Sequence, residues 1–510
     1  MKRRAIQTHR RLLSGPRVCA ILLSMSVVGW LAGCGGGKGS GSSGGGLVGT
    51  GGSGSGGSGS GGSPTSTGKG TWAWESGSKT ANANGSYGTM GTAAAGNVPG
   101  GRLIAASWTD TSGNFWLFGG EGYDSVGTEA GDASLNDLWK FSPSTGQWTW
   151  MGGSTTGNQT GTYGTLGTGA TANIPGARNA PTSWTDASGN FWLFGGAGYD
   201  AKGNSGYLND LWKYSPSSGE WTWVAGSNVN GGAGQFGTPG TAASGNVPSA
   251  RKHALSWVDA SGNLWLFGGI GCDASDSCGN YLNDLWRYDP STNQWTWMSG
   301  SKTNGQSGIY GTLGTAAAGN VPGARNVAVG WTDGKGDLYL FGGNGYDSVA
   351  TGGGSAYLND LWKYNTGSGE WTWVSGSNTA NATGSYGTEG TGAASNEPAA
   401  RWGSLTWVDS AGNFWLFGGY GNNGEYNDAW EFTPSNGNWT WVDGDDTTND
   451  DGAYGTEGTA SASNLPGGRE RGLVWMDSSG NAWIFGGEGY DSAGTGAGTG
   501  YMNDLWKYEP

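Results

Sequence analysis

The 510-residue chain contains 108 Gly and 31 Trp, is 12% aromatic and only 13% charged, and carries a formal charge of −14. So much Gly excludes an architecture of long helices, because Gly is among the poorest residues in a helix interior. So many aromatic residues exclude a chain disordered throughout, and the acidic balance argues against a nucleic-acid partner; a turn-rich, all-β protein remains.

The chain opens on an export label. Residues 1–17 are basic, residues 18–31 form an apolar run, and Leu31-Ala32-Gly33-Cys34 follows. That run is short for a bilayer span and has the layout of a secretory signal. Small residues ahead of a Cys resemble the bacterial lipobox, and the resemblance implies cleavage before Cys34 and lipid attachment to its thiol. Gly35, in place of Asp, then points to the outer membrane. Loss of residues 1–33 removes six basic residues and no acid, leaving −20. Residues 34–70 are nearly all Gly and Ser, with Lys38 and Lys69 the only charges. Such a tether reaches on the order of 30–35 Å, so the membrane is met only through the anchor.

Residues 71–510 are a repeat. Phe-Gly-Gly recurs at Phe118, Phe194, Phe267, Phe341, Phe417 and Phe485, and four short, aromatic, turn-bounded segments recur in fixed order around it. The first ends in Trp-x-Asp, and the second runs into Phe-Gly-Gly. The third is Asn-Asp-Leu-Trp-Lys-Tyr, altered by Ala429, Glu431 and Phe432 in the fifth unit, and the fourth is Trp-Thr-Trp. These read as four antiparallel strands per unit. Of the 31 Trp, 29 occupy repeat positions, leaving Trp30 and Trp402. Trp72-Ala73-Trp74 precedes the first complete unit, and the last unit stops at Pro510 without a fourth strand. An N-terminal strand completing the last unit closes a ring of six blades with no dangling edge.

The Gly-Gly pairs, the Asn-Asp-Leu-Trp-Lys-Tyr strand, the later Trp and an Arg opening each first strand resemble the kelch family, in register six times over residues 71–510. The resemblance implies a six-bladed β-propeller. The departure is an insert of about 25 residues between fourth and first strands, beyond the usual period of roughly 50. It carries Tyr-Gly-Thr-x-Gly-Thr and then Asn-x-Pro-x-x-Arg, and strand alternation predicts that it elaborates one face of the disc together with the loop after Phe-Gly-Gly.

Candidate chemistry is sparse. His9 and His253 are the only histidines, and His9 leaves with the signal, so a His-rich zinc site cannot be built. The radical-copper oxidases that share kelch architecture need two His ligands and a Cys-modified Tyr, which this chain cannot supply. His253, in Arg251-Lys252-His253, reads as structural. No Gly-Lys-Ser/Thr occurs, so the glycines are not a phosphate loop. Arg102, Arg178, Arg251, Arg325, Arg401 and Arg469 each follow a Pro by three residues. At one mouth of the central channel their guanidiniums would hold an anionic ligand bidentately, or else bond their own loops. Glu121 and Glu488 follow Gly-Gly in units that adjoin in the ring and are the weak candidates for acid–base work. Asp443, Asp445, Asp446, Asp450 and Asp451 offer oxygen ligands for calcium, without a recognised spacing; no other cofactor is expected. Cys272 and Cys278 are the free pair for a disulfide in an exported protein. Their loop and the shortened one of unit five, Tyr420 to Tyr426, break the six-fold likeness, so specificity is expected there.

The expectation is a non-enzymatic binding module of the cell envelope, recognising a glycan or a protein through its loop-rich face. One alternative is a carbohydrate-acting enzyme resembling bacterial sialic acid mutarotases, which would use channel-mouth Arg and Glu. The other is a structural envelope scaffold.

Overall fold

Each short segment is rich in aromatic residues and bounded by turns, and each forms a strand. The computed structural model describes residues 69–350, 356–493 and 499–510, with residues 129 and 130 described by backbone alone. Cys34 and the signal lie outside the described residues. In the first blade β2 (Arg102–Leu103) and β3 (Ala106–Thr109) both pair with β4 (Phe115–Gly122), followed outward by β5 (Ala133–Ser142) and β6 (Gln147–Gly152). All neighbours are antiparallel, and the order repeats in six sheets. The sixth takes its outer strand from the other end of the chain: β1 (Thr71–Ser76) pairs with Gly500–Glu509, placing Trp72 opposite Tyr508 and Trp74 opposite Trp506.

The core lies between blades. Six clusters of buried side chains each draw on two adjacent blades. Trp108 stacks on Phe191 of the next blade at 5.1 Å and 7°, and Trp331 on Phe414 at 5.3 Å and 4°. The indole N–H of Trp108 donates to the Trp192 carbonyl across the same interface, at 3.2 Å. Each such stacked pair contributes about 1 kcal/mol beyond its buried area.

The innermost strand, expected as one segment, is broken in every blade. The break falls at Ile104, Ala180, His253, Val327, Gly403 and Arg471, whose φ values lie between 48° and 71°. For the five that are not Gly this left-handed conformation costs roughly 1–2 kcal/mol. What offsets the cost is a closed circle of backbone bonds. Ala180 N donates to Ile104 O, His253 to Ala180, Val327 to His253, Gly403 to Val327, Arg471 to Gly403 and Ile104 to Arg471, at 2.7–3.2 Å.

The inserts do more than elaborate a face. Asn97 Nδ2 donates to Thr92 O within its own insert and to Trp148 O on β6, and Gly91 N donates to Trp150 O. The same Asn bonds recur at Asn173, Asn246, Asn320, Asn396 and Asn464. Each insert therefore lies along the outer edge of the following blade and covers backbone groups that would otherwise template aggregation. Cys272 and Cys278 are joined in a disulfide in the third blade.

Candidate functional site at the channel mouth

The six arginines are where the repeat predicts them along the chain, but they do not face a ligand. Each guanidinium is fully buried and grips the Asp of the third strand: Arg325 Nη1 and Nη2 donate to Asp360 Oδ1 and Oδ2 at 2.6 and 2.8 Å. Arg102–Asp137, Arg178–Asp210, Arg251–Asp284, Arg401–Asp428 and Arg469–Asp504 repeat this with no side-chain exposure. Nη1 also donates to the first Gly carbonyl of Gly-Gly, and Nε to a carbonyl two residues upstream. The Asp further accepts from the neighbouring Trp, as in Trp362 Nε1 to Asp360 Oδ2 at 2.7 Å, and from the insert's Tyr310 at 2.6 Å. Burial and the Asp charge hold that tyrosine well above its ordinary range, so it stays a donor. In the third blade Phe236 has no hydroxyl to give, and Ser249 Oγ accepts from Arg251 Nη2 at 2.8 Å instead. The glycine after Gly-Gly-x serves the same network: a Cβ on Gly198 would lie 2.6 Å from Arg178 Cα. The ligand-binding assignment of the arginines is therefore corrected; a guanidinium with no exposure, held by an Asp and two backbone carbonyls, has nothing to offer a ligand.

The residues that do line the mouth are their neighbours. Cross-strand register places three sets side by side in each blade. The residue after the Arg faces the residue after Gly-Gly, which faces the start of the third strand. Around the ring these are Leu103–Glu121–Ser134, Asn179–Ala197–Tyr207, Lys252–Ile270–Tyr281, Asn326–Asn344–Tyr357, Trp402–Tyr420–Glu425 and Glu470–Glu488–Tyr501. Strand pairing fixes these positions as firmly as the arginines, but their side chains differ from blade to blade. Below them the left-handed residues line a channel cavity of about 170 Å³, which His253, Gly403 and Arg471 border.

The acids concentrate on blades five and six. Arg471 Nη2 donates to Glu470 Oε1 at 2.6 Å and pairs with Glu488 Oε2 through the same nitrogen. Its guanidinium also lies over the Trp402 ring, 4.9 Å from the centroid. Glu425 and Glu470 are 1% and 3% exposed, and the Oε2 atom of each has no hydrogen-bond partner. Burial, with Glu470 and Glu488 adding repulsion, pushes the Glu425 carboxyl up to about 9. Burial pushes Glu470 to about 7, with Arg471 opposing the shift. On the adjoining first blade Glu121 accepts from Asn179 Nδ2 at 3.0 Å and from the Tyr501 hydroxyl at 3.3 Å, and burial raises its pKa. The Asn179 amide nitrogen is committed to Glu121 and Ser134, which leaves its buried Oδ1 unpaired. Burial and the charges of Lys252 and Arg471 hold His253 well below its ordinary value, so it is neutral.

The predicted pair Glu121 and Glu488 therefore lies on this mouth, and both charges act on Tyr501. Glu425, Glu470, Arg471, Asn179 and Trp402 were missed. The available signal was Trp402, the one Trp of the repeat region outside a repeat position, together with the variation next to each invariant Arg.

The acidic run does not gather into a cage. Asp443 Oδ1 pairs with Lys69 Nζ at 2.6 Å, Asp445 Oδ2 accepts from Asn427 and Asp450 Oδ2 from Thr447. Among the described residues the one set of three potential metal donors within 4.8 Å of each other is Cys272, Asp276 and Cys278. Its sulfurs are joined in the disulfide and are not thiolates.

Two family models described as Kelch motif match residues 264–296 and 329–378. Among curated proteins the chain is similar to N-acetylneuraminate epimerase of Yersinia pestis (strain Pestoides F), 34% identical over 76 residues, 15% of this chain and 19% of that protein. It is also similar to N-acetylneuraminate epimerase of Yersinia enterocolitica (serotype O:8 / biotype 1B), 36% identical over 75 residues, 14% and 18% respectively. The match thus spans less than a fifth of the length of these relatives.

Proposed function

Because the chain is a six-bladed β-propeller of kelch repeats, we propose that it is a glycan-binding module whose site is the channel mouth on the loop-rich face. One observation carries this reading. The invariant polar residues are consumed by the fold, while the variable residues beside them bring aromatic rings and unpaired buried acceptors to the same register around the ring. Aromatic faces beside a few fixed polar groups suit a saccharide's C–H surface and hydroxyl donors. The export signal and Cys34 belong to the same proposal: a lipid-anchored module of the outer membrane, displaying its mouth on a tether. A glycan array probed with the full chain should give a defined set of hits, and Trp402→Ala should weaken them at least tenfold. Uniform blankness on the array, with capture of a protein partner instead, would overturn the glycan reading. Cys34→Ser should move the protein to the soluble fraction; persistence in the membrane would refute the anchor.

A second reading is favoured by Glu470, a buried carboxyl poised near 7 beside Arg471, and by the short similarity to N-acetylneuraminate epimerases. A group titrating near neutrality can give and take a proton. NMR of N-acetylneuraminate with the full chain tests it, since accelerated interconversion of sugar forms would replace binding by catalysis.

A further inference from the structure

The polar groups left over at the mouth are mostly acceptors. Glu425 Oε2, Glu470 Oε2 and Asn179 Oδ1 are buried and unpaired, and the Asn326 and Asn344 side-chain oxygens add two more. The donors left over are Arg471 Nε and the Trp402 indole nitrogen. Four carboxyl groups, Glu121, Glu425, Glu470 and Glu488, stand against two basic groups, Lys252 and Arg471, and Glu425 takes up its charge only when a cation reaches it. Arg471 serves two carboxylates, and burial lowers the pKa of Lys252 against the opposing charge of Glu121. Buried acceptors without donors cost about 1–3 kcal/mol each, and a ligand that supplies donors recovers that cost.

Blade five departs from the other blades beside these acceptors. At the left-handed position the other blades carry Ile104, Ala180, His253, Val327 and Arg471, but blade five has Gly403. A Cβ there would stand 3.4 Å from Glu470 Oε2 and 3.3 Å from Glu470 Cβ. Arg471 Cγ would stand at 3.1 Å, so the glycine lets the backbone pack closely against an unpaired carboxylate oxygen, and the rings of Trp402 and Tyr420 lie 5.9 Å apart on the same blade.

We propose, building on the glycan reading above, that the ligand is an amino sugar bearing a free primary amine, alone or within an oligosaccharide. Its ammonium is received by Glu425, Glu470 and Glu488, and its ring lies against Trp402 and Tyr420. An ammonium presents three donors and one positive charge, which matches the surplus of acceptors and of acid. The sugar ring, rather than a lysine side chain, accounts for the aromatic flank and for the acceptors Asn326 and Asn344 on the adjoining fourth blade and Asn179 on the second. An anionic sugar would bring its charge up to four carboxyl groups. The groups acting on Glu425 are Glu470, Glu488, Arg471 and Arg469. With its carboxyl protonated at neutral pH, the arriving ammonium displaces that proton, so binding releases about one proton per amine.

Calorimetry with the full chain tests this, using a β-1,4-linked glucosamine trimer, its N-acetylated counterpart, N-acetylneuraminate and putrescine. The amine trimer should bind at least tenfold tighter than the acetylated one and release protons, seen as a dependence on buffer ionisation enthalpy. Glu425→Gln and Glu470→Gln, close in size to the native side chains, should each erase that preference. Equal or tighter binding of the acetylated trimer or of N-acetylneuraminate overturns the proposal. So does putrescine matching the trimer, or a preference that survives both substitutions. Neutral saccharides bound in a Trp402-dependent way, with no gain from the amine, would sink this inference and leave the glycan reading standing. Absence of any saccharide binding removes both.

Discussion

At the scale of single residues, the buried Arg–Asp pairs show how a repeat uses its invariant charges. A charge without exposure is tolerated only when its hydrogen bonds are complete, and removing one partner leaves the other unpaired in a desolvated place. Asp360→Asn should therefore destabilise the fold by about 3–5 kcal/mol, read from the denaturation midpoint; a loss below about 1 kcal/mol would mean the pair is not what holds the blade to its insert. Glu425 makes the opposite case. Its folded pKa near 9 lies above the ordinary 4.5, so the folded state binds the extra proton. The associated stability is complete below about pH 4.5 and is lost as pH rises toward 9. Glu425→Gln should then match the native protein at pH 4 and exceed it by about 2 kcal/mol or more at pH 8; equal unfolding midpoints at both pH values would refute the shift. None of this was legible from Glu425 alone. The arginines drew the eye because they are identical in all six units, and identity in a ring marks what the fold consumes. The proposed site lies one residue further on, where Leu103, Asn179, Lys252, Asn326, Trp402 and Glu470 share a position but differ in chemistry.

At the scale of elements, the sequence made the strands readable and left the break in the innermost one hidden. Trp-x-Asp, Phe-Gly-Gly, Asn-Asp-Leu-Trp and Trp-Thr-Trp each carry alternation and turn signals, and each became a strand. Ile104, Ala180, His253, Val327 and Arg471 carry no signature of a left-handed residue, because the bonds stabilising that conformation come from neighbouring blades. The inserts were legible as repeats but not as edge covers, since their partner, the fourth strand of the next blade, is about 50 residues away. Asn320 supplies two of the bonds, to Thr315 O and Trp371 O, each at 3.0 Å. Asn320→Ala should cost about 1–2 kcal/mol and raise amide exchange along residues 370–375. Unchanged protection there would show that the insert adheres without it.

At the scale of the whole molecule, closure depends on six residues at the start of the described chain. Without β1 the sixth blade loses its outer strand, and the Phe417 ring, 5.2 Å from Trp72, loses its partner. A chain lacking residues 71–76 should lose its single cooperative thermal transition by calorimetry. Retention of the full-length melting profile would show that closure is dispensable. The seam has a further consequence, which is mechanical. Thr71, where the chain enters the propeller, pairs with Glu509 at the opposite terminus. A pull transmitted from the N-terminal side therefore arrives at the end of the β1 ladder and loads its bonds one after another, as in peeling, instead of sharing the force along their length. The blade that would peel is the one bearing Glu470, Glu488 and Tyr501, so a ligand held at the mouth and the tension on the chain act on the same sheet.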